Sequence, residues 1–242
     1  QFASFTSDLN AQVAANKSKR QYALTLGDMT WDLYWYSNAY DLYSYVETIQ
    51  SGFSGLQFFH TIGNHDHDMN SAGDFNTVSV FKKVVSPTYY SFNIGDVHYI
   101  VLDNILCTND GTGSRTYDSS LTADQIDWLR KDLSYVDKSK TLVITMHAQM
   151  YNENGKNAME YASELEAICK GYDTHVMSAH THVIWNNDKS ASNGIHHHNS
   201  GAICGTWWWT GYYTAGLGRC KDGSPSGYDV YEMNGNDVKW RF

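Results

Sequence analysis

The tetrapeptide Gly63-Asn64-His65-Asp66 constrains the fold more than any other stretch of this sequence. It directly follows residues 56–62, a short and mostly apolar run that is typical of a buried strand. A glycine at the end of a strand allows the backbone to turn sharply. The amide, imidazole and carboxylate that come next would then lie at the carboxyl edge of a sheet, where open α/β sheets build their sites.

Three other apolar runs of strand length also lead into residues that can bind a metal ion. They lead to Asp28, to His147, and to His180 with His182. We expect these strand ends to meet in one crevice. Carboxylate, amide and imidazole groups suit divalent Mn, Fe, Zn or Co ions. The sequence therefore predicts a metal site whose candidate ligands are Asp28, Asn64, His147, His180 and His182.

The spacing of the last two histidines allows for two metal ions. His180 and His182 stand two residues apart at a predicted turn beyond a strand, where they could serve two ions. A carboxylate that bridges two ions about 3.5–4 Å apart is the usual device for in-line attack on phosphorus, and Asp28 is the candidate bridge. Alone, Asp28 or Asn64 could instead cap a helix or form a turn, but the set of strand ends favours ligation.

Strand and helix patterns alternate through the first three quarters of the chain, and β patterns follow. This order predicts a layered α/β sandwich. A capping box of Thr122 and Gln125 marks the start of one helix, and residues 109–120 read as a polar loop. The other predicted helices span residues 7–18, 41–50, 74–85 and 158–170.

The charge and hydrophobicity of the chain argue against nucleic acid as a partner and against a membrane-spanning segment. The 242 residues carry a formal net charge of −9, and no basic stripe of the kind that nucleic acids require is present. No apolar run reaches the roughly 18 residues of a transmembrane helix. In an acidic protein, metal ions are the obvious source of positive charge for a phosphorylated substrate. Cys204 and Cys220 could form a disulfide, although buried free thiols are favoured.

Gly27-Asp28, Gly63-Asn64-His65-Asp66, His147 and Ala179-His180-Thr181-His182 resemble, in order, motifs two to five of the calcineurin-like metallophosphoesterases. Residues 89–92, 97–103 and 125–129 are similar to the purple-acid-phosphatase branch. Residues 198–229 resemble exported bacterial members with an extra C-terminal β domain, which implies a periplasmic or extracellular location.

The resemblance implies a four-layer α/β/β/α sandwich of mixed sheets. Residues 1–205 would form the metallophosphoesterase core. Residues 206–242 would be an aromatic-rich β segment that either completes the core or begins a C-terminal β domain. The implied function is hydrolysis of a small phosphorylated substrate, in which a metal-bound hydroxide attacks phosphorus.

The resemblance also implies a role for each predicted site residue. His65 would pass a proton to the leaving oxygen, and Asp66 would orient it. Two divalent ions would share Asp28 as a bridge. The first ion would be bound by His182, and the second by Asn64, His147 and His180.

One motif of the family is missing. The first motif, Asp-x-His, would supply two ligands of the first metal ion, and nothing before Tyr22 matches it. We expect an upstream segment or a separate fragment to supply that motif with its strand. The alternative is a non-catalytic or crippled binding module. Trp31 stands where purple acid phosphatases carry a tyrosine ligand, and tryptophan cannot ligate.

Two further runs, one of histidines and one of tryptophans, could have a role outside the predicted site. The run His196-His197-His198 could bind metal or face the substrate, since His196 and His198 share one side of a strand. The run Trp207-Trp208-Trp209 is more typical of packing, but it could also form a carbohydrate- or surface-binding platform.

Overall fold

The computed structural model describes residues 2–31, 40–53, 55–205 and 218–242. The helices of these residues are α1 (Phe2–Ala15), α2 (Leu42–Gly52), α3 (Asp74–Thr77), α4 (Ser79–Val84), α5 (Ala123–Leu133), α6 (Ala162–Cys169) and α7 (Ser190–Asn193). Their strands are β1 (Tyr22–Leu26), β2 (Gln57–Thr61), β3 (Tyr90–Ile94), β4 (Val97–Val101), β5 (Ile105–Cys107), β6 (Tyr117–Ser119), β7 (Thr141–Thr145), β8 (Thr174–Ser178), β9 (Trp185–Asp188), β10 (Ile195–Asn199), β11 (Val230–Asn234) and β12 (Asp237–Arg241).

The largest sheet is mixed and has six strands in the order β3-β4-β7-β8-β10-β9. Its four central strands run parallel, and an antiparallel strand closes each edge. Strands β1 and β2 pair in parallel as a separate two-stranded sheet within the described residues. Because β1, β2, β7 and β8 belong to parallel pairs, the carboxyl ends of each pair lie side by side.

Three apolar clusters show how these elements are layered. On one face of the six-stranded sheet, Leu142 and Ile144 pack with Leu129 of α5 and Leu165 of α6. The other face packs against β1 and the β11–β12 hairpin, with Met177 among its contacts. Beyond β2, a third cluster joins α2 to α4. This arrangement confirms the predicted α/β fold.

Local structure departs from the sequence patterns at three places. The predicted helix over 74–85 is interrupted at Val78, whose φ of −91° and ψ of 1° are not helical, and it becomes α3 and α4. The predicted loop 109–120 contains β6. Thr122 caps α5 as expected, but the Gln125 side chain instead bonds the backbone N–H and carbonyl of Asp103.

The imidazoles of His175, His196 and His198 form a ladder between β8 and β10. Nδ1 of His175 lies 3.0 Å from Nε2 of His198, and the rings of His175 and His196 stack with centroids 4.7 Å apart. Trp240 of β12 covers His198 edge-on. His175 and His196 lie near the starts of their strands, whereas His180 follows the opposite end of β8.

We expect the histidine ladder to make the fold sensitive to acid. Burial, then His196, lowers the pKa of His175 to about 4, and burial, then His175, lowers that of His198 to about 3. Below the unfolded pKa of about 6.5, the unfolded chain binds more protons than the folded one. The free energy of unfolding should therefore fall as pH drops from about 6.5 towards 4, by up to about 1.4 kcal/mol per pH unit for each group.

Urea unfolding at a series of pH values across this window measures the effect. In the His198→Gln variant, the free energy of unfolding should fall less steeply with pH, by about 1.4 kcal/mol per pH unit, whatever the variant's absolute stability. An identical slope in the variant would contradict the assignment.

Candidate metal centre

The predicted strand ends meet where the two sheets face each other. Nδ1 of His147, just beyond β7, donates to the carbonyl oxygen of Leu26 at the end of β1, over 2.6 Å. The hydroxyl of Thr61 at the end of β2 donates to that of Thr145 at the end of β7, over 2.8 Å. These bonds bring the carboxyl ends of β1, β2 and β7 to one place, and His180 arrives there from β8.

Four of the five predicted ligands converge on one small space. Nε2 of His147 lies 2.9 Å from Oδ1 of Asn64, 3.2 Å from Oδ2 of Asp28 and 3.1 Å from Nδ1 of His180. Since the His147 proton sits on Nδ1, the neutral ring turns a lone pair toward these atoms. Such a gathering of electron-rich atoms fits a divalent cation with oxygen and imidazole ligands.

Electrostatics keep Asp28 and His180 in the forms that bind metal. Burial alone would raise the pKa of Asp28, but His147 and then His65 overcome it, and the net effect is a lowered pKa. Burial, assisted by His147, lowers the pKa of His180 to about 4. Burial opposes a second proton on the His147 ring, yet Asp28 raises its pKa, so a metal ion would have to displace a proton from Nε2 of the charged form.

The backbone of the ligand loops is held in a conformation that side chains avoid. Among the described residues, only four other than glycine have a positive φ. Three of them are predicted ligands, namely Asp28 (58°), His180 (66°) and His182 (56°). Such conformations cost of order 1 kcal/mol each and concentrate at functional sites.

Two glycines make room for the centre. A Cβ on Gly63 would come within 2.3 Å of Oδ1 of Asp28, and a Cβ on Gly27 within 2.5 Å of Nδ1 of His147. Gly27 also has a φ of 93°, which favours glycine. Both positions therefore need glycine for the ligands to approach one another.

Asp66 is fully buried and holds the two ligand loops together. Its Oδ2 accepts hydrogen bonds from the backbone N–H groups of Asp28 and Gly63, at 2.8 and 2.9 Å. Its Oδ1 accepts one from the N–H of Thr30 at 3.1 Å. These contacts make Asp66 a positioning residue for the loops, and its predicted orientation of the His65 ring stays a prediction.

The other two predicted residues lie beside the close group. The half-buried His65 donates its backbone N–H to Oδ1 of Asp28 at 3.0 Å, and its ring is near enough to lower the pKa of that carboxyl. Nδ1 of His182 lies 2.7 Å from the Gly205 carbonyl oxygen and donates to it. As a predicted ligand, His182 would therefore bind a metal ion through Nε2.

Sequence reasoning missed three residues that shape the centre. Oδ1 of Asn104 accepts the backbone N–H of His147 at 3.1 Å, and it thereby fixes the loop after β7. The hydroxyl of Tyr117 lies 3.5 Å from Nε2 of His180. Arg115 donates to the backbone carbonyl of Asn64. Asn104 follows an apolar run, which is the signal that also indicated the candidate ligands, whereas residues 115–117 lie in the predicted loop.

Comparison with known sequences identifies two matching family models. The model described as calcineurin-like phosphoesterase matches residues 2–184, and that described as the C terminal of calcineurin-like phosphoesterase matches residues 197–242. The boundary at residue 205 between the predicted core and the β segment stays a prediction. Trp207-Trp208-Trp209 lies outside the described residues.

Curated relatives share shorter regions. Purple acid phosphatase 18 from Arabidopsis thaliana is 34% identical over 116 residues, which cover 45% of this chain and 24% of that protein. Phosphoenolpyruvate phosphatase from Allium cepa is 28% identical over 160 residues, which cover 60% of this chain and 31% of that protein. The chain thus matches less than a third of the length of either relative.

A solved structure shares the fold. A dimetal phosphatase from Danio rerio superposes with a TM-score of 0.60 at 13% identity, over 81% of this chain and 76% of that one. Within the described residues, no helix combines the length and apolar character needed to cross a membrane.

Replacement of Gly63 by alanine should disrupt the centre without unfolding the protein. The added Cβ would displace the Asp28 carboxylate and its backbone, so we expect the metal bound at this centre to be lost while the far-ultraviolet circular dichroism is kept. Gly52→Ala is the matched control, because its Cβ would meet the nearest atom at an ordinary 3.5 Å. Elemental analysis of both variants after dialysis provides the measurement, and full metal content in Gly63→Ala would refute the geometric argument.

Proposed function

This chain belongs to the calcineurin-like phosphoesterase family, and on that premise we propose that it is a phosphoester hydrolase that works with two divalent metal ions. The convergence of Asp28, Asn64, His147 and His180 carries the proposal, because it supplies a complete ligand set for one ion. The purple acid phosphatases among its relatives support the same class of reaction.

The second ion of the pair would use fewer residues of this chain. Asp28 offers a second carboxylate oxygen, Oδ1, and His182 offers Nε2 because its Nδ1 is held by Gly205. The expected Asp-x-His motif, supplied by an upstream segment or a separate fragment, would complete that ion's ligands. The choice among Mn, Fe, Zn and Co is left open by oxygen and nitrogen ligands alone.

When bound, the ions would supply Lewis acidity and lower the pKa of a bound water. The protein's own residues would then position and move protons. Ionised Asp28 would hold the ions together, and the half-buried ring of His65 would protonate the leaving oxygen. Asp66 would keep the Asp28 and His65 loops in register through its bonds to their backbone. Donors held in place before the reaction lower the cost of reorganisation.

We propose a small phosphorylated molecule as the substrate. The chain carries a net charge of −9, which disfavours a polyanion such as nucleic acid. One relative is a phosphoenolpyruvate phosphatase, whose name indicates a small phosphate monoester.

Removal of the His65 imidazole tests catalysis separately from metal binding. The His65→Ala variant should retain its metal ions but hydrolyse p-nitrophenyl phosphate about 10²–10⁴-fold more slowly, the usual contribution of a proton-transfer residue. The assay uses added Mn²⁺ together with elemental analysis. His196→Ala serves as the matched control, since its partly buried ring lies on the histidine ladder, near the strand ends opposite the metal centre.

A binding module that keeps the fold and one metal ion is the second candidate, because Asp28, Asn64, His147 and His180 supply ligands for one ion. It predicts bound metal without turnover, even when the upstream motif is supplied. Equal turnover of substrate by His65→Ala and the parent protein would instead support hydrolysis but show that His65 has no part in the mechanism.

A further inference from the structure

A second group of possible metal ligands lies beside the first and is not used by the proposed reaction. His67, Asp74 and Cys107 each direct one ligand atom to a common space, with all three atoms within 4.8 Å of one another. The three residues come from the loop after the 3-10 turn Asn64–Asp66, from the first turn of α3, and from the end of β5. Asp103 adds a carboxylate oxygen 3.6 Å from Nε2 of His67.

Hydrogen bonds fix which nitrogen of His67 faces this space. The Thr77 hydroxyl donates its hydrogen to the Asp74 carbonyl oxygen at 2.7 Å, so it must accept from Nδ1 of His67, which lies 2.9 Å away. The proton of the neutral ring is therefore on Nδ1. Nε2 carries a lone pair and points toward Asp103 and Cys107.

This nitrogen is an anomaly of the folded protein. His67 has no solvent exposure, and its Nε2 makes no close hydrogen bond among the described residues, since the Asp103 carboxylate lies 3.6 Å away. A buried polar atom without a partner costs about 1–3 kcal/mol, and an ion is one of the standard explanations. Cys107 is also buried and is a free thiol.

We propose that His67, Cys107 and Asp74, with Asp103 as the fourth ligand, bind a structural Zn²⁺ ion. One thiolate, one imidazole and carboxylate oxygens are a ligand set that zinc accepts in tetrahedral geometry. At zinc bond lengths of about 2.0–2.3 Å, ligand atoms lie roughly 3.3–3.8 Å apart. The 3.6 Å between His67 and Asp103 falls in that range.

The surroundings hold the four ligands in place. Oδ1 of Asp74 accepts the backbone N–H of Cys107 at 2.8 Å, which ties α3 to β5. The buried amide of Gln125 accepts the backbone N–H of Asp103 at 3.0 Å and donates to the Asp103 carbonyl oxygen at 2.7 Å. A zinc ion here would clamp three segments directly behind the turn that carries Asn64 and His65.

The competing state is a proton in place of the ion. Burial opposes a charged His67, but Asp103 and then Cys107 raise its pKa to about 10 in the metal-free protein. Such a proton would leave a buried imidazolium beside a carboxylate. Zinc would replace that proton and would also release the thiol proton, so binding should strengthen as pH rises.

Cobalt separates this site from the first, because the candidate ligands of the first centre among the described residues include no sulfur atom. The full-length chain, stripped of metal and titrated with Co²⁺, should develop a thiolate-to-cobalt charge-transfer band in the near ultraviolet. The ligands of the first centre are oxygen and nitrogen atoms and cannot produce that band. His180→Ala should therefore weaken cobalt binding at the first centre and keep the band.

Two variants at the site should each abolish the band. Cys107→Ser removes the thiolate, and His67→Gln leaves every thiol intact but removes the nitrogen ligand. Cys169→Ser, another buried free cysteine, is the matched control and should keep the band. Zinc content of the as-purified protein should also fall by one ion per chain in both site variants.

The outcomes decide between the two states. Loss of the band in Cys107→Ser and His67→Gln, together with the lost zinc, supports the site. Absence of a band in the parent protein, or a band that persists in both variants, overturns it. If Cys107→Ser does not fold, the parent protein and His67→Gln still decide the question, and neither result depends on phosphatase activity.

Discussion

The hydrogen bond from Nδ1 of His147 to the carbonyl oxygen of Leu26 is the contact on which the centre depends. It joins the two sheets at their carboxyl ends, 2.6 Å from atom to atom. It also places the ring proton on the side away from Asp28, so that Nε2 faces the other ligands as a lone pair. A single bond therefore sets both the position of the ligand cluster and the chemical form of its central member.

Around that bond, the loops that carry the candidate ligands adopt backbone conformations that raise the free energy of the folded chain. Asp28, His180 and His182 adopt left-handed backbone conformations, which persist only where surrounding structure enforces them. The buried Asp66 carboxylate supplies part of that enforcement, because it gathers N–H groups from both loops. The packing of the two sheets offsets this unfavourable free energy, in agreement with the observation that functional sites are often strained.

Sequence patterns predicted the fold well where one signal dominated. Continuous apolar runs predicted β7 and β8, which are buried on both faces. The patterns did not predict β6, whose three residues pair with β5 across a polar loop, nor the break at Val78. They also misjudged Gln125, because its buried amide satisfies the backbone of Asp103 instead of closing the capping box. Short pairings and buried amides depend on contacts distant in sequence.

The sequence by itself determined the kinds of candidate ligand and their order, since Asp28, Asn64, His147 and His180 each follow an apolar strand or its turn. Only the tertiary structure decided which nitrogen each imidazole presents, and that Asp66 binds backbone amides. It alone brought His67, Asp74 and Cys107 to one buried space. The physical reason is that a tautomer or an ion site depends on neighbours tens of residues away, which meet only when the sheets pack.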